Sequence, residues 1–180
     1  MAKADLARED GLMLKAVLEI LATTPQKLKR EISTFSRREM LARPASNKWS
    51  VQEVLAHLAD VEEGGMRARV AAIIEQKNPT LPFFDQEARA TELKYNTIDA
   101  RQSLTRFERQ RRANVKWLRT LRPAQLKRRG VHQQVGDITA EELITEWAFH
   151  DLGHVKQILE IKRYALYPRM GNMRAFYELR

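Results

Sequence analysis

The chain contains no cysteine among its 180 residues. This absence excludes disulfide bonds, thiolate metal sites and a cysteine nucleophile, and it fits a reducing compartment. No uncharged apolar run approaches the roughly 20 residues that a membrane-spanning helix needs. The first ten residues are charged and lack the apolar core of a signal peptide. The sequence therefore predicts a cytoplasmic protein with no membrane segment.

Glycine and proline are also scarce, with seven and six residues. They fall between long segments of helical periodicity, and the apolar/polar alternation typical of strands is nearly absent, which favours an all-α fold. A chain of this length is expected to form one domain with a substantial core. We predict a single domain over residues 1–180, with its core at about 24–177.

Two capping boxes mark predicted helix starts. Ser50 with Glu53, and Thr139 with Glu142, have the Ser/Thr-x-x-Glu spacing in which each side chain bonds the other residue's backbone N–H. The helices that follow extend to about Gln76 and about Ala165. In the first of them the pair at 64–65 is Gly-Gly, which weakens a helix and favours a bend or a close approach.

Two further helices complete the predicted set. The first carries an apolar stripe ending at Leu21, and Thr24 with Pro25 has the pattern of a helix restart, with Pro25 at the first helical position. The other runs from about Ile98 to Leu121. Residues 78–96 form a long connection, and residues 130–137 are expected to be a loop. Four principal helices with one long crossover predict a four-helix bundle.

The net charge of +9 is concentrated in one segment. Between Arg101 and Arg129 there are eleven Lys or Arg residues and one acid, Glu108, whereas the rest of the chain has 21 basic and 22 acidic residues. A local basic patch attracts anions of many kinds. The two aromatic residues of the segment, Phe107 and Trp117, fit core spacing better than a base-stacking surface.

Three of the four histidines fall where one metal ion could bind them. His150 and His154 are four residues apart and share a helix face, and His57 lies on the apolar side of another helix. Three imidazoles would leave a coordination position for water or substrate, as catalytic metal sites do. A lone buried histidine is more often a core residue than a ligand, and His-x3-His pairs also occur by chance on surface helices. The remaining histidine, His132, is expected at the surface.

Neutral imidazoles suit several divalent ions. Zinc or nickel are the leading candidates, with iron, cobalt or manganese as alternatives. Asp151 and Gln157 are near enough in sequence to orient the imidazoles through hydrogen bonds. For Asp151 a solvent-facing charge is an equal alternative, because it lies one residue from His150 and faces differently.

Two segments resemble the DinB-like (DinB/YfiT-like) superfamily of helical-bundle metalloenzymes. They are the motif around Trp49 and His57, from Lys48 to Asp60, and the motif from Trp147 to Ile158. The resemblance extends over nearly the whole chain, from about residue 24 to residue 177. It implies that His57, His150 and His154 are the family's three metal ligands, and it implies frequent homodimerisation. Several relatives use a divalent metal to activate a low-molecular-weight thiol for transfer to an electrophile.

The leading functional hypothesis is therefore a divalent-metal-dependent enzyme, a thiol S-transferase or a hydrolase acting on a small electrophilic substrate. Arg111 interrupts an apolar stripe, so Arg111 and Asn114 are candidates for binding an anionic cofactor or substrate; the alternative is that Arg111 reaches the surface. Two further hypotheses remain. The basic segment could bind nucleic acid or another polyanion, or the protein could bind metal without turnover.

Overall fold

Four long helical segments form the body of the fold. The computed structural model describes the backbone of residues 2–177 and the side chains of residues 12–177, so Met1 and residues 178–180 of the predicted domain lie outside the described part. In chain order the elements are α1 (Ala2–Ile32), α2 (Arg37–Leu41), α3 (Val51–Val61), a π-helical segment (Glu62–Arg67), α4 (Ala68–Glu75), β1 (Thr80–Leu81), α5 (Gln86–Glu92), a 3-10 turn (Tyr95–Thr97), α6 (Ala100–Leu118), α7 (Pro123–Leu126), β2 (Arg129–His132), β3 (Gly136–Thr139), α8 (Ala140–Leu166) and a 3-10 segment (Tyr167–Phe176).

The long helices pack as a bundle, as predicted. Helix α1 packs against α6 and α8, and α3 packs against α6. The long crossover between α4 and α6 contains β1, α5 and the 3-10 turn. Within residues 2–177, no helix combines the length and apolar character that crossing a bilayer requires. The all-α four-helix bundle is confirmed.

A small sheet caps one end of the bundle, which the sequence did not predict. Strand β1 pairs parallel to β2, and β2 pairs antiparallel to β3 with Arg129 opposite Thr139. The prediction that residues 130–137 form a loop was wrong, since they are most of this hairpin. Strands of two and four residues are too short to show a period-2 pattern, and their pairing depends on a distant segment.

Helix α1 continues through Pro25, so the predicted restart at Thr24 was wrong. The Thr24 hydroxyl donates to the Ile20 carbonyl at 2.8 Å and caps nothing. Proline lacks the N–H that would reach the carbonyl four residues earlier. That carbonyl belongs to Leu21, and it accepts a hydrogen bond from Arg111 Nη1 at 2.9 Å. A distant side chain thus replaces the lost helical bond.

The predicted weak point at Gly64-Gly65 is a π-helical segment, Glu62–Arg67. A Cβ added at Gly65 would lie 2.5 Å from Val61 Cγ2 and 3.4 Å from Phe84 Cδ2. A Cβ at Gly64 would meet nothing within 4 Å. Only Gly65 is therefore required for close packing.

The core consists of two apolar clusters along the bundle axis. One contains Leu21, Met66 and Trp147, and the other contains Leu28 and Phe107. On the π-helical segment, α6 and α8, the residues between the two clusters include buried polar side chains. We call the following set the polar layer: Glu62, Arg111, Asn114 and Asp151.

Candidate metal centre

Helix α3 places the first histidine of the centre. The Ser50–Glu53 capping box fixes the start of this helix, with both reciprocal bonds present. All eleven residues of α3 are buried. His57 lies two turns into the helix and is 1% exposed. Its ring position is therefore set by packing on every side.

Helix α8 supplies the other two histidines, one turn apart. The Thr139–Glu142 capping box fixes its start, as predicted. His150 and His154 are half-buried, and their ring centroids are 4.4 Å apart. The sequence separation of four gives this proximity directly.

The three imidazoles converge through the same ring nitrogen. His150 Nε2 lies 3.1 Å from His57 Nε2 and 3.1 Å from His154 Nε2. One nitrogen from each residue lies within 4.8 Å of the other two. Among the described side chains, this is the one group of three or more His, Asp or Glu residues close enough to share a metal ion.

Burial keeps these imidazoles neutral. Burial, with smaller effects from His154 and His150, lowers the pKa of His57 to about 2. Burial, His154 and Arg111 lower the pKa of His150 to about 3. Burial also lowers the pKa of His154, against the opposing effects of Gln157 and Asp151. A neutral imidazole has a free lone pair, which a metal ligand needs.

The hydrogen bond of His154 fixes its tautomer. Its Nδ1 lies 2.8 Å from Gln157 Oε1, and an amide oxygen only accepts, so Nδ1 carries the proton. The Nε2 lone pair of His154 therefore faces the other two rings. If His150 Nε2 carries a proton, it can donate that proton to His57 or to His154, but not to both. Hydrogen bonds among the three rings therefore leave one Nε2 lone pair without a donor.

A divalent cation fits this donor set. Two ligands about 2.0–2.1 Å from one ion at 90–109° are separated by about 2.9–3.4 Å. The two separations that involve His150, 3.1 Å each, lie within that range, and the ligand nitrogens of His57 and His154 lie within 4.8 Å of each other. The Nδ1 atoms of His57 and His150 are buried without partners, so Gln157 is the one orienting partner seen for the three rings among the described residues.

Aromatic rings surround His57. The ring centroid of Trp49 lies 5.0 Å from that of His57, and those of Tyr95 and Phe84 lie at 6.2 Å and 6.3 Å. A cavity of about 320 Å³ is lined in part by Trp49, whose ring packs against His57, and by Gln157, which bonds His154; the three histidines are not in its described lining. The centre thus has an apolar wall on one side and an open space beside it.

Arg111 and Asn114 lie in the polar layer. Arg111 is 1% exposed, so the alternative in which it reaches the surface was wrong. Its Nε and Nη2 donate to Glu62, its Nη1 and Nη2 donate to Asp151, and Nη1 also donates to the Leu21 carbonyl. Asn114 Nδ2 donates to Glu62 Oε1 at 2.9 Å. All five guanidinium N–H groups of Arg111 therefore donate to protein acceptors. Binding of an anionic cofactor by Arg111 stays a prediction, and it would require some of these hydrogen bonds to break.

Asp151 and Glu62 complete this network. Asp151 is 1% exposed, so its solvent-facing alternative was wrong. Burial opposes the charge on Arg111, yet Asp151 and Glu62 raise its pKa above the ordinary value. Sequence reasoning missed Glu62, because an acid beside Glu63 and Gly64 has the pattern of a solvent-facing turn. No local signal distinguishes the two acids.

His132 lies apart from the centre. It is half-buried in β2, opposite Gly136 of β3, rather than fully at the surface. Burial, with a smaller effect of Arg69, lowers its pKa. The structure thus brings together three of the four histidines and leaves His132 outside the centre. Substitution of His132 can therefore serve as a control for substitution of the other three.

Solved and curated proteins resemble this chain over most of its length. YfiT of Bacillus subtilis (strain 168), named provisionally as a metal-dependent hydrolase, is 25% identical over 155 residues, which cover 86% of this chain and 84% of that protein. A protein of Oceanobacillus iheyensis with the same provisional name is 26% identical over 137 residues, covering 76% of this chain and 78% of that one.

The likeness extends to three dimensions and to a family model. The solved structure of B. subtilis YfiT, described as an unusual four-helix-bundle topology, superposes with a TM-score of 0.76 at 24% identity, covering 83% of this chain and 85% of that one. The model of the DinB superfamily matches residues 20–158. All three histidines of the centre lie within that match.

Proposed function

Since the chain belongs to the DinB superfamily, we propose that it is a metal-dependent enzyme whose divalent cation is held by Nε2 of His57, His150 and His154. The observation that carries the proposal is the convergence of three imidazoles, with Nε2 of His57 and Nε2 of His154 each 3.1 Å from Nε2 of His150. Zinc or nickel are the preferred ions, because imidazole nitrogen suits both; iron, cobalt and manganese are alternatives.

A divalent ion bound there supplies a Lewis acid that lowers the pKa of a water or thiol and polarises an electrophile. The chain's own residues prepare the place for this chemistry. Gln157 holds His154 in one tautomer. The rings of Trp49 and Phe84 pack beside His57 and give that side of the centre an apolar surface. Three protein ligands leave coordination room for the reacting molecules.

Hydrolysis of a small electrophilic substrate is the reaction we favour. The provisional names of the B. subtilis and O. iheyensis relatives support it. Transfer of a thiol is the alternative, and since the chain has no cysteine, any such thiol would be a separate low-molecular-weight molecule. The cavity of about 320 Å³ beside Trp49 and Gln157 has the size of a small-molecule pocket.

We also propose that the chain forms a homodimer through α8. Its outer face exposes large apolar side chains at helical spacing: Phe149, Leu152, Leu159 and Leu166. The last three are seven residues apart, the repeat with which helices pack along one another. Light scattering should give a dimer mass, and Leu152→Glu with Leu159→Glu should give a monomer.

Metal binding is tested by elemental analysis and by calorimetric titration of zinc and nickel. We expect one ion per chain, with binding abolished in His57→Ala and retained in His132→Ala, which removes the histidine outside the centre. Equal binding by wild type and His57→Ala would contradict the proposal. Metal binding without hydrolysis or thiol transfer on a panel of small esters, amides and electrophiles would support the alternative of a metal-binding protein without turnover.

A further inference from the structure

A groove lies along the basic helix on the far side of α3 from His57. We call it the α6 groove. It has a volume of about 590 Å³, and its lining includes Ala56 and Ala59 of α3 and Arg101, Ser103, Arg106 and Arg109 of α6. On α3, Ala56 and Ala59 are turned by roughly 100° and 160° from His57, at 3.6 residues per turn. The α6 groove is therefore separate from the metal centre.

The arginines of the α6 groove are poorly neutralised. No carboxylate partner is found for Arg101 or Arg109 among the described side chains. Arg106 lies 3.7 Å from Glu63, where both side chains are exposed, and its charge also acts on Asp60 from a longer distance. An exposed pair of this kind contributes little. None of the described residues that line the groove is acidic. Two arginines without a carboxylate partner, beside a third that is only weakly paired, favour a bound anion.

A buried hydroxyl group lines the same groove without a partner. Ser103 is 3% exposed, and its Oγ has no hydrogen-bond partner among the side chains and backbone that the structure describes. Thr105, also in the lining, donates to the Arg101 carbonyl at 2.8 Å, as hydroxyls inside helices commonly do. A buried hydroxyl without a bond is costly, so a ligand that accepts from Ser103 would relieve that cost.

We propose that the α6 groove binds the phosphate group of a small phosphorylated molecule. Arginine forks match phosphate oxygens with paired hydrogen bonds, and Ser103 supplies a further donor. The apolar floor of Ala56, Ala59 and Ile98 leaves room for the uncharged part of the molecule.

The aromatic residues of the basic segment argue against nucleic acid as the ligand. Single-stranded nucleic acid is bound through aromatic side chains on which bases stack. Phe107 is fully buried, and the ring of Trp117 is covered by the Arg67 guanidinium, 3.4 Å from its centroid. Within residues 12–177, no aromatic side chain lines the α6 groove.

Calorimetric titration with inorganic phosphate at fixed ionic strength tests the proposal. We expect one saturable site per chain, weakened at least about tenfold in the double variant Arg101→Gln/Arg109→Gln, which removes two charged donors. The matched control is Arg112→Gln/Arg119→Gln, which removes the same charge from exposed positions of the same segment and should bind within about twofold of wild type. Ser103→Ala, which changes no charge, should weaken binding several-fold.

Two further measurements separate other sources of binding. Repeating the titration on His154→Ala excludes phosphate held at the metal centre, and the affinity should be retained. Glycerol phosphate should bind more tightly than inorganic phosphate, because it also covers the apolar floor. Absence of saturable binding, equal loss in the two double variants, unchanged affinity in Ser103→Ala, or binding of single-stranded oligonucleotide alone would overturn the proposal.

Discussion

Arg111 Nη1 donates a hydrogen bond of 2.9 Å to the Leu21 carbonyl, the acceptor that Pro25 leaves without a helical partner. One side chain thereby joins α6 to α1, while its other N–H groups bond Glu62 and Asp151. A buried guanidinium with every donor in use is tolerated because its charge and its hydrogen bonds are both matched. The proline in α1 and the arginine in α6 are therefore coupled.

We expect Arg111→Ala to lower the free energy of unfolding by about 3–5 kcal/mol, because it leaves two buried carboxylates and the Leu21 carbonyl without their partner. Urea denaturation measures this change. Arg112→Ala, the exposed neighbour, should change stability by less than about 0.5 kcal/mol. Similar small losses in both variants would show that the polar layer relaxes without Arg111.

The two glycines of the π-helical segment should respond in opposite directions. Gly65→Ala is expected to destabilise by about 1–3 kcal/mol, because its Cβ would overlap Val61. Gly64→Ala should stabilise by up to about 1 kcal/mol, since the position is open and alanine favours the helix. Thermal unfolding measures the stability change in each variant, and a stabilised Gly65→Ala would contradict the close packing of Gly65 against Val61.

Gln157 should determine metal affinity through His154. Gln157→Leu removes the acceptor of the Nδ1–H group, and loss of such orienting partners weakens metal binding about 10–100-fold. Gln157→Glu keeps an acceptor at that position and should retain the affinity. Competition with a chromophoric zinc chelator gives the values, and an unchanged affinity in Gln157→Leu would rule out this positioning role.

Asp60 should contribute a pH-dependent part of the stability. Burial alone would raise its pKa, but hydrogen bonds from Arg89 and Tyr95 lower it below the ordinary 3.8. A lowered folded-state pKa means stabilisation that is complete above about pH 4 and lost as pH falls through the folded-state pKa. Asp60→Asn should therefore cost about 1–2 kcal/mol at pH 7, with Arg89 partly screened by solvent.

The difference between wild type and Asp60→Asn should shrink below about pH 4 in denaturation experiments, because the wild-type carboxylate then takes up its proton. Asp137→Asn is the control. It removes an exposed carboxylate 3.6 Å from Arg129 and should cost less than about 0.5 kcal/mol at every pH. A difference for Asp60→Asn that is constant from pH 7 to pH 3 would contradict the assigned pKa shift.

The sequence predicts those features that depend on local spacing. The capping boxes at Ser50 and Thr139 place the starts of α3 and α8, and the spacing of four places His150 beside His154. His57 is 93 residues from His150, and no periodicity relates them. Its place in the centre was expected from its position on the apolar face of a helix, from the scarcity of histidine and from the family motif.

Features that depend on distant partners could not be predicted in this way. Pro25 has the local pattern of a helix start, and only Arg111 explains why α1 continues. Asp151 and Glu62 have the sequence pattern of solvated charges, yet they are buried because a guanidinium from another helix lies between them. The β2–β3 hairpin lacks a strand pattern because each strand has four residues.

The polar layer has a consequence for how the four helices align. The two apolar clusters on either side of it are built from side chains that could interdigitate in several ways, since dispersion and burial are not directional. Sliding one helix by a turn, about 5.4 Å, would preserve much of that apolar contact but would separate Arg111 from Glu62 or Asp151 and leave an unpaired charge inside the bundle. The layer thus selects one axial alignment, and with it the heights at which α3 and α8 present His57, His150 and His154 to one another.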